Sequence, residues 1–303
     1  MSWTALGAVI FWGFSFIATK VALKEVPPVT LLALRYAIGA LFLLIAQYGR
    51  DKAFLKMFSR RDWIQIFLLT AVGVSGLGLL QAYGLLYTTA INTGWIIAIN
   101  PIFITLAARL FLGETITARK ISGIFLGFCG IFLIISKGVF SFSLFHSSSI
   151  FGDLLILTSA LAWTTFTVLG KGFISRFTPL SAVTVIMVSG FFIILPLSLL
   201  KGGWSTLLHL SLPAWMGIFF LGIFCSGLAY LFWYSALEKG DSSVVGMYLY
   251  FEPLVTLIGA CLLLGEEIHW ITLMGGGMIF IGVYLSSKRS QDPKIDIGND
   301  EQQ

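Results

Sequence analysis

The sequence predicts an all-α polytopic membrane protein in which ten transmembrane helices form two inverted five-helix repeats. Three observations predict this class: the composition, the recurrence of long apolar runs, and a constant internal offset between matching residues. Of the 303 residues, 57% are hydrophobic and 11% are charged, with a mean hydropathy of +0.94. A soluble domain carries about 25% charged residues. A soluble chain this apolar could not cover its own surface, so a membrane protein is indicated.

The apolar runs are each long enough to cross a hydrocarbon core of about 30 Å at about 1.5 Å per residue. Ten spans are predicted, at 3–22, 29–48, 63–86, 91–112, 119–136, 151–171, 178–200, 213–236, 242–264 and 270–286. Two connections are longer than the others, a basic one at 49–62 and a serine-rich one at 138–150. The first span lacks a basic leader and a small-residue cleavage site, so we expect it to be retained.

The placement of lysine and arginine predicts the orientation. With a cytoplasmic N-terminus, 14 basic residues fall on the cytoplasmic side and four (Lys20, Lys24, Lys137 and Lys201) on the outer side. The positive-inside rule then places both termini in the cytoplasm. The net charge of +5 follows from this topology and from contact with anionic lipid, so no nucleic-acid partner is expected.

The two halves of the chain repeat one another. Four residues recur at an offset of 152: Trp63 and Trp215, Gly94 and Gly246, Pro101 and Pro253, Glu114 and Glu266. The predicted units are a first repeat at 1–137, a second at 150–286, and a disordered cytoplasmic tail at 287–303. Because five spans make an odd number, the second repeat enters the membrane inverted. Inverted repeats are typical of secondary transporters, whose substrate site lies near the midplane between the repeats.

Several segments also resemble a known family. They are WGFSFIATK at 12–20, PPVTLLALRY with Arg35, and the paired endings INPIFITLAARLFLGE and FEPLVTLIGACLLLGE. Over nearly all of residues 3–286 the chain resembles the drug/metabolite transporter superfamily, in its EamA-type branch. The resemblance implies a ten-helix inner-membrane carrier with a central cavity, commonly an exporter of amino acids or other small metabolites. It does not specify the substrate.

The fourth and ninth predicted spans each contain a proline that follows a polar residue. Pro101 follows Asn100 and Pro253 follows Glu252, so each helix should be interrupted where the proline frees a carbonyl group. Such interruptions occur in membranes where the backbone lines a cavity or is buried in protein. Two interpretations of Glu252 stay open: a cavity acid that binds a proton or a cationic group, or a structural acid bonded to the freed carbonyl of Leu249.

Polar and aromatic side chains at span depth complete the candidate site. The predicted substrate-binding residues are Trp12, Asn92, Trp95, Asn100, Trp163, Tyr234, Tyr248 and Glu252. Tyr248 is included because it lies four residues before Glu252, on the same face of a helix. For the aromatic residues, packing is the alternative; for Asn92, it is association between helices. Arg35 is interpreted as extending its long side chain to the outer surface in preference to a substrate or gating role.

Two further features predict structure. Glu114 and Glu266 each follow a glycine at a span end, where a carboxylate near the N-terminus of the next helix is favourable. Glycines in the fifth and tenth spans allow close helix contact, either with each other or with a second protomer, so a monomer and a homodimer both stay open.

Other chemistries are not indicated. The sequence contains neither a phosphate-binding loop nor an HExxH motif, and its three histidines and three cysteines lack metal-ligand spacing. We therefore predict no enzyme activity, catalytic residue, metal or cofactor. The predicted function is a secondary transporter of a small metabolite, an amino acid or related compound, with export favoured and with proton coupling through Glu252. The alternatives are a non-transporting or channel-like membrane scaffold, or a carrier of drugs, sugars or nucleotide-type substrates.

Overall fold

The computed structural model describes residues 2–112, 118–138, 148–174, 176–239, 245 and 247–287. Within these ranges the chain is helical and contains no strand. Seven of the described helices are long and apolar enough to cross a membrane, and three shorter apolar helices accompany them. The all-α membrane class predicted from the composition is therefore confirmed.

The helices are numbered here in chain order, with one number for each predicted span. Their bounds are α1 Trp3–Leu23, α2 Pro28–Tyr48, α3 Arg60–Tyr87, α4a Ala90–Ile97, α4b Asn100–Leu112, α5 Ala118–Ser136, α6 Ser148–Ile174, α7 Pro179–Lys201, α8 Leu212–Glu238, α9 Glu252–Leu264 and α10 Trp270–Ser287. Most predicted bounds lie within three residues of these. A 3₁₀ segment, Met247–Phe251, precedes α9.

Local sequence signals account for where several helices begin. Pro28 and Pro179 occupy the first positions of α2 and α7, where a missing N–H costs nothing. Ser59 caps α3 and forms a reciprocal capping box with Asp62. Ser211 caps α8 through its side-chain hydroxyl, without a reciprocal partner of the kind that Ser59 has. α3 and α8 each pass through a π-helical stretch in mid-course, at Ala71–Gly76 and Phe220–Leu228.

The two proline-containing spans are interrupted, as the sequence predicts. The fourth span ends its first helix at Ile97 and resumes at Asn100, with Pro101 as the second residue of the new helix. The ninth changes from the 3₁₀ segment to α-helix at Glu252, again with proline second. Because Tyr248 lies in the 3₁₀ segment, the i to i+4 relation that assigned it to the Glu252 face does not hold there.

The glycines of α5 and α10 meet each other. A Cβ atom at Gly130 would lie 2.5 Å from the carbonyl oxygen of Gly275, and one at Gly282 would lie 2.5 Å from that of Gly123. Any side chain at these positions would separate the two backbones. Close packing within one chain therefore explains the glycines, and no second protomer is needed to account for them.

The helices of the two halves contact one another reciprocally. α1 packs against α8 and α9, while α6 packs against α3 and α4. α2 lies against α7, α4a against α9, and α5 against α10. Two clusters of buried apolar side chains result, one mainly from α1, α2, α7 and α8 and the other mainly from α4, with contributions from α1, α5, α6 and α10. The candidate site lies between them.

Several sequence predictions fall outside the described residues. These are the repeat positions Glu114 and Gly246, most of the serine-rich connection, and the tail beyond Ser287. The helix α10 includes Ser287 itself, which the sequence had assigned to the tail.

Candidate functional site

A small cavity of about 50 Å³ lies in the middle of the helix bundle. Nine helical elements contribute to it, and its wall is formed by Trp12, Ser15, Phe16, Arg35, Leu77, Gln81, Ile97, Asn100, Trp163, Tyr230, Leu249 and Glu252. Since one water molecule needs about 10–15 Å³ of such volume, the cavity holds only a few waters. Sites for drug-sized molecules measure about 300–1,000 Å³. A metabolite would therefore enter only if the helices moved apart.

Aromatic rings form one wall of this cavity. The ring of Trp12 lies 5.5 Å from that of Trp163 and 5.4 Å from that of Tyr230, both edge-on. Its indole Nε1 donates a hydrogen bond to the Cys225 carbonyl oxygen at 3.3 Å. These contacts join α1, α6 and α8, so the predicted pairing of Trp12 with Trp163 brings the opening helices of the two halves together.

Two polar side chains at the helix interruptions reach the cavity without partners. Glu252 is 6% exposed, and its carboxyl group forms no hydrogen bond with any residue that the structure describes. Asn100 is 5% exposed, and its Oδ1 is buried without a hydrogen-bond partner among the same residues. Five other buried polar atoms of the described residues also lack a partner, but among these six only Asn100 Oδ1 belongs to a residue of the cavity wall. Asn100 and Glu252 therefore offer unused hydrogen-bonding groups there to a ligand, water or proton.

A basic side chain faces the same cavity. Arg35 donates from Nε to the Ser226 hydroxyl at 2.7 Å and lines the wall together with Glu252. The sequence interpretation of Arg35 as reaching for the outer surface is therefore wrong, because its side chain turns inward to α8. No nitrogen–oxygen contact within 4 Å joins the two charged groups, both of which are described.

The other predicted site residues lie elsewhere. Asn92 accepts a hydrogen bond from Thr272 at 3.4 Å. Trp95 packs on Gly276 and edge-on against Phe280, with ring centroids 5.1 Å apart.

Two predicted tyrosines also lie away from the cavity wall. The Tyr248 hydroxyl accepts a hydrogen bond from the Ser2 backbone N–H at 2.6 Å. Tyr234 packs at the margin of the larger apolar cluster. The structure thus gathers Trp12, Asn100, Trp163 and Glu252, and leaves Asn92, Trp95, Tyr234 and Tyr248 outside the cavity.

On one side of the cavity the helices are closed by a charged cluster. Glu266 accepts hydrogen bonds from the backbone N–H groups of Ala90 and Ile91, at 2.9 and 3.0 Å, and forms a 3.2 Å ion pair with Lys20. A carboxylate at a helix N-terminus is favourable, as predicted, but the helix is α4a and not the following α10. The prediction identified the interaction and assigned it to the wrong helix.

Closer to the cavity, Thr256 closes the same side. Its hydroxyl donates to the Gly13 carbonyl oxygen at 3.0 Å, and its Cβ lies 3.0 Å from where a Cβ of Gly94 would be. The absence of a side chain at Gly94 lets α4a, α9 and α1 meet there. We call this region, from Lys20 and Glu266 to Thr256, the closed side.

A second concavity lies on the outside of the bundle, between α5 and α10. It measures about 430 Å³ and is lined by Phe125, Phe128, Cys129, Phe132, Leu133 and Met278. None of these side chains carries a group that could orient a polar metabolite. The groove suits the acyl chains of membrane lipid, which is an expected partner of the chain.

Sequence reasoning missed Arg35, Gln81, Ser15 and Tyr230 as cavity residues. For Arg35 a signal was present, since an ionisable residue inside a span is a functional candidate by default. The other three carry no such signal. Their inclusion depends on which face each helix presents, and that follows only from the packing of the whole bundle.

Comparison with known proteins places this arrangement in context. The sequence profile of the EamA-like transporter family matches the chain twice, over residues 1–136 and 150–288. A solved crystal structure aligns with 94% of the chain, at a TM-score of 0.68 and 19% identity, and is itself 97% covered. At that identity the likeness shows the fold alone.

Three curated relatives extend over nearly the whole chain. An uncharacterized transporter of Archaeoglobus fulgidus is 32% identical, and the alignment covers 93% of this chain and 95% of the relative. The uncharacterized transporter YyaM of Bacillus subtilis is 30% identical, and the alignment covers 96% of this chain and 94% of YyaM. A probable terminal-alkyne amino-acid exporter of Streptantibioticus cattleyicolor is 26% identical, and the alignment covers 95% of this chain and 93% of that exporter.

Asparagine-to-leucine substitutions at two positions of the fourth span, Asn100 and Asn92, should have opposite effects on the stability of the protein. Asn100→Leu should raise the stability of the protein, by about 1–3 kcal/mol, because it removes a buried group that has no partner. Asn92→Leu should lower it by a similar amount, because Thr272 would lose its partner. Thermal unfolding of the purified variants in detergent measures both. Equal destabilisation by the two substitutions would show that Asn100 is satisfied in the folded protein.

Proposed function

The chain belongs to the EamA-like transporter family, and we propose that it is a secondary transporter that exports an amino acid or related compound by alternating access. The single observation that carries the proposal is the central cavity, where Glu252 and Asn100 project without partners from two interrupted helices. Interrupted helices in a membrane are tolerated where they line a binding site between repeats. The relative from Streptantibioticus cattleyicolor supports both the export direction and the substrate class.

An inverted ten-helix repeat underlies this proposal, with units at 1–137 and 150–286. The reciprocal contacts support it, since α1 meets α8 and α9 as α6 meets α3 and α4. The double match of the family profile has nearly the same bounds. In this scheme the three shorter apolar helices also span the membrane.

The connections at the two ends of the bundle support the same symmetry. Arg176, between α6 and α7, forms a 2.7 Å ion pair with Asp62 in the first turn of α3. Glu25, between α1 and α2, binds Ser211 at the start of α8. Hydrogen bonds from the Ser211 hydroxyl and its backbone N–H lower the pKa of the Glu25 carboxyl. Each connection therefore holds the start of a helix in the opposite half.

Alternating access requires that the two sides of the site open in turn. The closed side is held by contacts between helices of different halves, from Lys20 and Glu266 through Thr256. The cavity is too small for a metabolite in this conformation. Loosening of the contacts among α1, α4a and α9 would enlarge the cavity toward that side, and the inverted half would provide the alternative opening.

Glu252 supplies a means of coupling transport to a proton gradient. A carboxyl group that has no protein partner can bind a proton or the cationic group of a substrate, and exchange of one for the other links the two movements. Asn100 holds the corresponding place in the other half and stays neutral at every pH. The asymmetry between these residues assigns the proton to one half only.

Replacement of Glu252 tests the transport proposal and its coupling together. In liposomes, Glu252→Gln should remove the response of amino-acid accumulation to an imposed pH gradient, because an amide cannot exchange a proton. Exchange of substrate across the membrane should continue, since the amide oxygen still accepts a hydrogen bond. The matched control is Glu238→Gln, which removes an exposed acid from the end of α8.

Two results would contradict the proposal. An unchanged gradient response in Glu252→Gln would leave this residue with a packing role only. Flux in the wild-type protein that never saturates and ignores every gradient would favour the channel-like alternative. Saturable uptake of a sugar or nucleotide in place of amino acids would replace the substrate class and leave the mechanism standing.

We further propose that both termini and the 49–62 connection face the cytoplasm, in the inner membrane. In a variant with Cys129, Cys225 and Cys261 replaced, a cysteine at Lys24 should react with an impermeant thiol reagent in intact cells. A cysteine at Ser59, near the opposite end of the bundle, should react only with a permeant reagent. The reverse pattern of labelling would overturn this orientation.

A further inference from the structure

We propose that the substrate is a zwitterion whose carboxylate is bound by Arg35 while its ammonium group faces Glu252, so that Arg35 determines specificity. The inference rests on the proposed function and deepens it. It is carried by the presence of two opposite charges in one cavity that do not pair with each other.

Arg35 is held in the bundle by the packing of its own helix. A Cβ at Gly39, one turn further along α2, would lie 2.9 Å from the Gly222 carbonyl oxygen. A Cβ at Gly222 would lie 3.2 Å from the carbonyl oxygen of Arg35 itself and 2.6 Å from Ile38. The backbones of α2 and α8 thus touch at Arg35 and one turn beyond it. This packing fixes the point from which the Arg35 side chain starts. Arg35 lies seven residues after Pro28, the first residue of α2, which is about 10 Å along the helix axis.

The guanidinium group is oriented from α8. Ser226 accepts from Arg35 Nε, and this serine lies within the π-helical stretch Phe220–Leu228. Such stretches inside α-helices frequently occur at functional sites. With Nε committed to Ser226, the two terminal nitrogens form no hydrogen bond with the part of the chain that the structure describes. Their paired N–H groups match the two oxygens of a carboxylate.

Glu252 presents the opposite charge to the same space. Arg35 and Glu252 both line this cavity, so the two groups are near neighbours without being in contact. A direct ion pair would have satisfied both and left nothing for a ligand. Their separation beyond 4 Å leaves room for a molecule that carries one charge of each sign.

A zwitterion satisfies this site better than an ion of either sign. A cation would pair with Glu252 and leave the half-buried guanidinium of Arg35 uncompensated, while an anion would do the reverse. A buried charge without a partner is costly, and a site built to bond a polar group strongly rejects an analogue that lacks it. The rings of Trp12, Trp163 and Tyr230 form one part of the remaining wall, so an apolar third substituent of the substrate would pack there; Ser15, Gln81 and Asn100 make the rest of the wall polar.

Charge-deleted analogues of an amino acid test each contact separately. The probes are L-leucine and L-phenylalanine, their amides, which lack the carboxylate, and their N-acetyl derivatives, which lack the ammonium group. Binding is measured by thermal shift and by competition on the purified protein. For at least one of the two amino acids, the wild-type protein should bind the free form tenfold or more tightly than either derivative. Arg35→Gln should weaken the free form roughly tenfold to hundredfold and leave the amide nearly unchanged.

Two further variants separate recognition from folding. Arg35→Lys keeps the charge without the paired geometry, so it should retain part of the preference for the free amino acid over its amide. Lys24→Gln removes an exposed positive charge near the end of α1 and should change nothing. If Arg35→Gln fails to give a monodisperse protein, the preference for the free amino acid over its amide is compared between Arg35→Lys and the wild-type protein instead.

The outcomes distinguish this proposal from the proposed function. Equal binding of amide and free amino acid by the wild-type protein would overturn the role of Arg35, even where transport occurs. The same holds if Arg35→Gln weakens all three forms equally, or if none of the probes binds. Selective binding without gradient-driven flux would uphold the recognition and contradict the transport mechanism.

Discussion

Two ionisable side chains of opposite sign, Arg35 and Glu252, share a cavity inside an apolar helix bundle without bonding to each other. This arrangement is the constraint that the account of function depends on. Charged groups inside a membrane are expensive and face the bundle interior, where they mark a pathway or a site. The surrounding structure keeps the pair apart, with Ser226 holding one group and the interrupted ninth span projecting the other. A substrate that bridges them would supply what the folded protein lacks.

The scaffold around this pair is organised by helices that cross from one half to the other. Trp12 and Trp163 bring α1 and α6 together on one wall, while the proline-interrupted spans supply Asn100 and Glu252. Glycines let backbones touch where α5 meets α10 and where α2 meets α8. The rigid contacts and the small, unsatisfied cavity therefore lie side by side. In the proposed mechanism, movement at the closed side would change the volume of the site without disturbing the packing that positions Arg35.

Much of this could be predicted from sequence, for physical reasons that differ from residue to residue. The spans follow from length and apolarity, and the two interruptions follow from the missing N–H of Pro101 and Pro253. The inward turn of Arg35 is typical of an ionisable residue inside a span, but its partner could not be predicted, because that depends on a π-helical stretch in α8 that places Ser226 opposite. The partner of Glu266 was likewise hidden, since the N-terminus of α4a becomes its neighbour only through tertiary packing. Tyr248 left its expected face because the segment before Glu252 is a 3₁₀ helix.

Protection of a single cysteine by substrate tests the central claim most directly. Gln81 lines the cavity without carrying a charge, and the native Cys129 lies in the apolar groove between α5 and α10. In a variant with Gln81→Cys and with Cys225 and Cys261 replaced, the labelling rate of both positions is measured with and without saturating amino acid. The account predicts that the amino acid slows labelling at position 81 and leaves Cys129 unchanged. Protection of Cys129 with unchanged labelling at position 81 would place the substrate in the outer groove and contradict it.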